Sequence, residues 1–206
     1  MMVRILTVFA AAALMAIAPA CSSGPPPPDD SSYVSELARL RADKDAQFLN
    51  GPDTPVPEDK KAALLPLRYY PIDPAYSVPA ALKLADERPI YQMPTSTGDL
   101  RRYQHVGAVE FTFQGQPMSL GAFVEEGAPI TTLFIPFADE TTGQETYSAG
   151  RYLELHPNAQ GVYTIDFNRA YNPYCAYNAA YDCPFPPPSN RLKVPIRAGE
   201  KAPPGA

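Results

Sequence analysis

Two periodicities divide the chain near residue 67. Upstream, Tyr33, Leu37, Leu40 and Phe48 recur at helical spacing, with the aliphatic stem of Lys44 filling the gap between the last two. This spacing predicts one amphipathic helix from Ser32 to Asn50, with Ser31 or Ser32 able to cap it and Asn50-Gly51-Pro52 stopping it. Glu36, Arg39 and Asp43 occupy the opposite face. Their mixed signs suit a solvated surface, so the helix is expected to lie over one side of a domain rather than in the plane of a membrane. A Pro-punctuated connector from Gly51 to Pro66 follows, with a short helical turn expected at Glu58 to Leu64.

From Leu67 onward the period is two. Runs rich in Tyr, Val, Ile, Phe and Thr predict strands at Leu67 to Ile72, Ser77 to Leu84, Ile90 to Thr95, Arg102 to Phe113 and Gln116 to Val124. Further strands are expected at Ile130 to Pro136, Tyr147 to Glu154, Val162 to Phe167 and Leu192 to Arg197. The clearest hairpin joins Val109 to Phe113 with Met118 to Leu120 through Gln114-Gly115-Gln116, placing Val109, Phe111 and Phe113 inward. Ile130 to Ile135 is apolar on both faces and reads as a central strand. The fold class is therefore mainly β: an antiparallel sandwich or partly closed barrel of about nine strands with one N-terminal helix.

Composition narrows this picture. The chain has 206 residues, 45% of them hydrophobic and 19% charged, enough for one domain with a real core, which we place at residues 32–201 before a disordered tail at 202–206. Its 26 prolines exclude long helices beyond the first fifty residues. A net charge of -5 and the absence of a run of Lys or Arg exclude a nucleic-acid partner, because nothing would neutralise a row of phosphates.

Residues 1–20 have the form of a signal peptide: Arg4 supplies a positive start, Ile5 to Ile17 an apolar stretch too short to span a bilayer, and Ala18-Pro19-Ala20 a small-residue cleavage point. Cleavage there leaves Cys21 first, which resembles the lipobox of bacterial lipoproteins, in which that Cys carries a diacylglyceryl thioether and an amide-linked acyl chain of the palmitate type. An ordinary secretory signal is the alternative. Residues 21–31 then hold the lipidated Cys and a semi-rigid Pro-rich tether. The expected place is the bacterial cell envelope, lipid-anchored; with Ser22 after Cys21, sorting rules favour the outer membrane facing the periplasm.

Candidate chemistry is concentrated between Phe134 and Asn190, which hold seven of the 13 tyrosines. Cys175 and Cys183 are an even pair in an exported protein and are expected to form a disulfide, worth about 2.6 kcal/mol by chain entropy. A zinc site using both thiolates with His105 or His156 is the competing reading, weakened by a spacing unlike a CxxC knuckle. Asp139 to Tyr147 has the composition of a tight turn, and calcium binding by its acidic residues lacks the oxygen-ligand spacing of an EF-hand. Arg151 is expected to pair with Asp166. Either that pair and the asparagines brace irregular loops, or Arg151 grips an anionic group while tyrosines stack on the rest of a ligand. Pro184 to Asn190 reads as a rigid strap across the domain's own tyrosines. No Gly-rich phosphate loop, GxSxG elbow or HExxH occurs, and no cofactor is implied.

The strings F-x-D-x-T-x-G at Phe137 to Gly143, T-Y-x-x-G-R-Y at Thr146 to Tyr152, D-F-N-R-A-Y-N-P-Y-C-A-Y at Asp166 to Tyr177, C-P-x-P-P at Cys183 to Pro187 and A-G-E-K at Ala198 to Lys201 resemble the domain-of-unknown-function family 1684. The resemblance implies that Asp139, Tyr147, Arg151, Asp166, Asn168, Tyr171, Asn172, Cys175, Cys183 and Asn190 are signature positions, and it implies no role for them. The sequence therefore leads to an envelope lipoprotein that binds a small ligand or an envelope component, or serves a structural role. Its expected ligand-binding residues are Arg151, Asp166, Asn168, Tyr147, Tyr171 and Asn172. A hydrolase using Asp139 or Asp166 as general base, with or without a metal, is the alternative.

Overall fold

The computed structural model describes residues 30–205. The expected signal peptide, Cys21 and most of the tether lie outside the described residues. Among those described, no helix is long and apolar enough to cross a membrane.

The helix forms where the pattern places it. α1 spans Ser31–Asn50, buries Leu37 and Phe48, and leaves Glu36, Arg39 and Asp43 in solvent. Its N-cap is Asp30, with no side-chain cap hydrogen bond, rather than Ser31 or Ser32. The turn expected in the connector is a 3₁₀ segment at Glu58–Lys60 running into α2, Lys61–Leu64.

Seven strands follow: β1 Ser77–Leu84, β2 Ile90–Pro94, β3 Leu100–Phe113, β4 Gln116–Glu125, β5 Leu133–Phe137, β6 Arg151–Leu155 and β7 Tyr163–Asp166. They form one antiparallel sheet in the order β6-β5-β4-β3-β1-β7, with β2 paired to β3. The two ends approach through Tyr152 and Tyr171, which exchange backbone hydrogen bonds of 2.9 and 3.0 Å, so the sheet is a nearly closed barrel. The β3–β4 hairpin turns through Gln114 and Gly115, both at positive φ as a two-residue hairpin loop requires.

The barrel interior takes the inward-facing residues of every strand but β2, whose Met93 packs instead with Tyr103 and Phe123. Val109, Phe111 and Phe113 point inward as expected, and Phe111, Phe113 and Phe137 pack edge-on against Phe167 with ring centroids 5.5–5.9 Å apart. Each such ring taken from water contributes about 1.5–3 kcal/mol, so this cluster is a principal source of the fold's stability. A smaller core at Phe48, Val56, Leu64, Leu67 and Tyr177 fastens α1 and the connector to the outside.

Seven strands rather than nine reflect two segments that run extended but lack ladders. Leu67 to Ile72 follows Pro66, contains Pro71 and makes one bridge, Tyr69 to Glu200. Leu192 to Arg197 contains Pro195, and a side chain, not a strand, takes the carbonyl oxygens of its end and of the segment beyond it. Residues 202 and 203 are packed as well: the Ala202 N–H bonds the Glu145 carbonyl at 3.1 Å and Pro203 is buried, so the body extends past residue 201 into the expected tail.

Candidate functional site

The side chain that replaces a strand is Arg151, 1% exposed at the start of β6. Its Nη1 donates to the carbonyls of Ala198 and Glu200, and its Nη2 donates to the carbonyl of Ile196 at 2.8 Å and to Asp139 Oδ2 at 2.9 Å. Residues 196, 198 and 200 are two apart, the repeat of an extended chain that turns alternate carbonyls one way. The planar fork of one guanidinium thus serves as the hydrogen-bonding edge for the C-terminal segment. Phe137 lies under the guanidinium, 5.3 Å from centroid to Cζ. Asp139 Oδ1 accepts from the Thr141 N–H and hydroxyl at 2.7 and 2.6 Å and from the Ile196 N–H at 3.2 Å. The expected turn at Asp139 is present, but its first residue is half of a buried ion pair.

The partner expected for Arg151 is therefore corrected from Asp166 to Asp139. Asp166 ends β7, where its Oδ1 accepts from Tyr33 of α1 at 2.8 Å and from the Asn168 N–H at 3.0 Å, while Arg169 pairs with Oδ2 at 3.1 Å. Asn168 holds the backbone of Asp73 through both ends of its amide, at 3.1 and 2.8 Å. The Asn172 amide donates to the Lys201 carbonyl at 2.8 Å, and its backbone N–H donates to the buried Glu200 carboxylate at 2.8 Å. Asn190, fully buried, takes the Gly121 N–H at 2.7 Å and donates to the carbonyls of Gly121 and Pro136 at 2.9 and 2.8 Å. A Cβ at Gly121 would stand 3.0 Å from that amide oxygen, so a glycine admits the approach.

These signature groups brace backbone that prolines leave unpaired, and none of them lines the cleft described below. Of the six residues expected to bind a ligand, Arg151, Asp166, Asn168 and Asn172 belong to this bracing, and Tyr147 turns its hydroxyl to Cys175 at 3.8 Å. Only Tyr171 lines the cleft described next. Nor do Asp139 and Asp166 present a lone general base, since both oxygens of each already accept from protein donors.

The cleft, about 940 Å³, lies on the outside of the barrel beside the C-terminal half of α1. Its floor is a run of rings: Tyr103 stacks on Phe134 at 5.3 Å, Phe134 meets Tyr152 at 4.8 Å, and Tyr152 meets Tyr171 at 5.7 Å. Strand alternation explains the floor. In β5, Leu133, Ile135 and Phe137 enter the core while Phe134 faces out, so the double-sided apolar pattern of this segment reports core on one face and cleft on the other. The opposite wall joins Phe48, Tyr174 and Tyr181 edge to face, at 6.1 and 5.2 Å. Lys44, 5.1 Å from the centroids of both Phe48 and Tyr171, bridges wall and floor. Arg101, Glu125, Glu154 and Asp182 are also at its edge. Burial pushes the phenols of Tyr103, Tyr152, Tyr171 and Tyr174 up, so they stay protonated and able to donate. Tyr171 gives its hydrogen to Glu154 at 2.9 Å and Tyr152 to the Pro184 carbonyl. The latter contact makes the Pro-rich strap the edge of the cleft. Asp182 is held down to about 2, first by the hydroxyls of Thr95 and Thr97 and then by Arg101, 2.9 Å away.

The sequence signal for this cleft was the tyrosine density at 171–181. Tyr103, Phe134 and Phe48 carry no such signal because they arrive from three distant elements.

Cys175 and Cys183 are neighbours, but free thiols, not the expected disulfide. The Cys175 N–H donates to Cys183 Sγ at 3.1 Å, and the Cys183 N–H donates to Ser96 Oγ at 3.0 Å. Hydrogen bonding from the Cys183 thiol, then from Tyr147 and Ser96, lowers Cys175 to about 6 despite its partial burial; the same contact and burial raise Cys183. The histidines of the zinc reading are engaged elsewhere: His105 packs on Phe123 at 5.2 Å, and His156 bonds Thr132 at 3.2 Å. Among the described residues no group of three or more His, Cys, Asp or Glu is placed to hold a metal ion.

Residues 63–201 match the model of a family described as a protein of unknown function, DUF1684. The solution NMR structure of an uncharacterised protein from Haloarcula marismortui is similar, with 36% identity and a TM-score of 0.66 over 84% of this chain and 96% of that one. No curated protein matches the chain.

Proposed function

The chain belongs to the DUF1684 family, and we propose that it is a binding module whose ligand, a saccharide of the cell envelope, lies along the tyrosine-walled cleft. The observation that carries this reading is the pair of aromatic runs, Tyr103-Phe134-Tyr152-Tyr171 and Phe48-Tyr174-Tyr181, facing one open volume edged by carboxylates. Ring faces carry negative quadrupole charge, and the C–H faces of a sugar ring are weakly positive, so the two stack in a groove of this shape. Carboxylates at the edge suit sugar hydroxyls, which donate. The cations at the cleft already have carboxylate partners, Lys44 with Glu200 and Arg101 with Asp182, which favours a neutral ligand over an anion. The hydrolase reading receives no comparable support, because Asp139 and Asp166 lie away from the cleft.

The test is a chemical-shift titration of the mature domain with soluble oligosaccharides of N-acetylated amino sugars. Saturable shifts at the backbone amides of residues 171–184, lost in Tyr174→Ala, are expected. Shifts that are absent throughout, or that persist unchanged in Tyr174→Ala, would overturn the reading.

The same proposal places the module at the envelope on a lipidated Cys21, at the end of the tether that precedes α1. The full chain is expected in the membrane fraction of a bacterial host and Cys21→Ser in the soluble exported fraction. Equal membrane association of the two would remove the anchor from the proposal.

A further inference from the structure

We propose that Cys175 and Cys183 form a reversible thiol–disulfide exchange site beside the cleft, in which the partly exposed Cys175 attacks and the buried Cys183 resolves. Three observations carry it. The Cys183 sulfur is 3.1 Å from the Cys175 backbone nitrogen, hence at most one N–Cα bond further from the Cys175 Cα, so a crosslink needs little backbone movement. The two thiols differ in surroundings: Cys175 is partly exposed and takes the Tyr147 hydroxyl at 3.8 Å, whereas Cys183, at the cleft, is buried. Finally, the Cys183 N–H is fixed to Ser96 Oγ, which itself donates to the Tyr181 carbonyl at 3.0 Å, so the resolving residue sits on a braced segment. Donors around Cys175 stabilise its thiolate, the nucleophilic form, while the hydrogen bond to Cys175 and then burial keep Cys183 protonated until it is needed.

The co-reactant is a small disulfide, R–S–S–R. The Cys175 thiolate attacks one of its sulfurs; the R–S–S–R bond breaks, the first RS⁻ leaves and takes a proton from water, and Cys175 holds a mixed disulfide. Cys183 then gives up its proton to solvent and attacks Cys175 Sγ, and the second RS⁻ leaves as RSH. Two protein thiols are oxidised and one R–S–S–R is reduced to two RSH. The new bond closes the segment that carries Tyr181 and Asp182 and begins beside Tyr174, so the redox state of the pair sets how firmly the cleft wall is held.

The test uses the mature protein, reduced and then exposed to bis(2-hydroxyethyl) disulfide, with intact mass as the readout. Wild type should lose two hydrogens and regain them with dithiothreitol under native conditions. Cys183→Ser should stop at a mixed disulfide on Cys175, and Cys175→Ser should react about tenfold or more slowly, since its remaining thiol is buried and protonated. Absence of the crosslink, a crosslink that dithiothreitol leaves intact in the folded protein, or equal rates in the two variants would each overturn the assignment. Because this readout involves no saccharide, its outcome is separate from that of the cleft titration.

Discussion

The clasp around Arg151 and the cleft around Tyr152 begin on adjacent residues of one strand and show opposite uses of side chains. Arg151 turns inward, and its charge is spent on Asp139 and three backbone carbonyls. Tyr152 turns outward, gives its hydroxyl to the strap and leaves its ring in a row of rings beside open volume. The polar residues that look most like chemistry in the sequence brace the backbone, and the ring residues, which look like core, line the open cleft. Polar density therefore identifies a site only when some polar atoms are left facing space. In a Pro-rich chain many backbone groups lack ladder partners, and buried amides and guanidinium groups must satisfy them.

The comparison can be broken first at Arg151. Arg151→Met strands the Asp139 carboxylate and frees three carbonyls, and urea unfolding should register a loss of about 3–5 kcal/mol. Adding Asp139→Asn should restore part of it, because the stranded charge is gone while an amide oxygen still accepts from the Thr141 and Ile196 N–H groups. Tyr174→Ala, 40% exposed with only edge contacts to Phe48 and Tyr181, should cost about 1 kcal/mol. Similar losses in Arg151→Met and Tyr174→Ala would mean that clasp and cleft are not distinct in kind.

A smaller effect sharpens the cleft side. Asp182 is depressed in the fold from an ordinary 3.8 to about 2. A carboxyl lowered on folding contributes stability that is fully present above its unfolded value and lost as pH falls through its folded one. The tie from Asp182 to Thr97 and Arg101 should therefore hold at neutral pH and loosen between about pH 4 and 2, together with the adjoining wall. A carboxyl-detected NMR titration should find Asp182 near 2 and Thr97→Val moved upward toward 3.8. An Asp182 that titrates at 3.8 in the wild type would remove the tie.

Much of the barrel was legible because its strands alternate cleanly. β1 has the predicted bounds, and the β3–β4 hairpin turns where Gln114-Gly115 allows it. The two absent strands have the right composition, but Pro66, Pro71 and Pro195 deny them ladders, and strand composition says nothing of whether a partner edge exists. That Tyr171 stands among clustered rings was legible through the local density of tyrosines, whereas the arrival of Phe48, Tyr103 and Phe134 at the same cleft was not. Arg151 was singled out correctly as special, yet its partner lies 12 positions upstream rather than 15 downstream, a choice between two aspartates that sequence distance does not make.

The sequence by itself determined the amphipathic α1, the alternation that makes a mainly β barrel, and the segment in which unusual residues gather, because each depends on local period and turn chemistry. Only the tertiary structure decided which aspartate Arg151 meets, that Cys175 and Cys183 lie side by side, and that rings from α1, β3, β5 and β6 face one cleft. Those juxtapositions depend on strand order and on how the barrel closes, which are set by the sum of long-range packing rather than by any short stretch of chain.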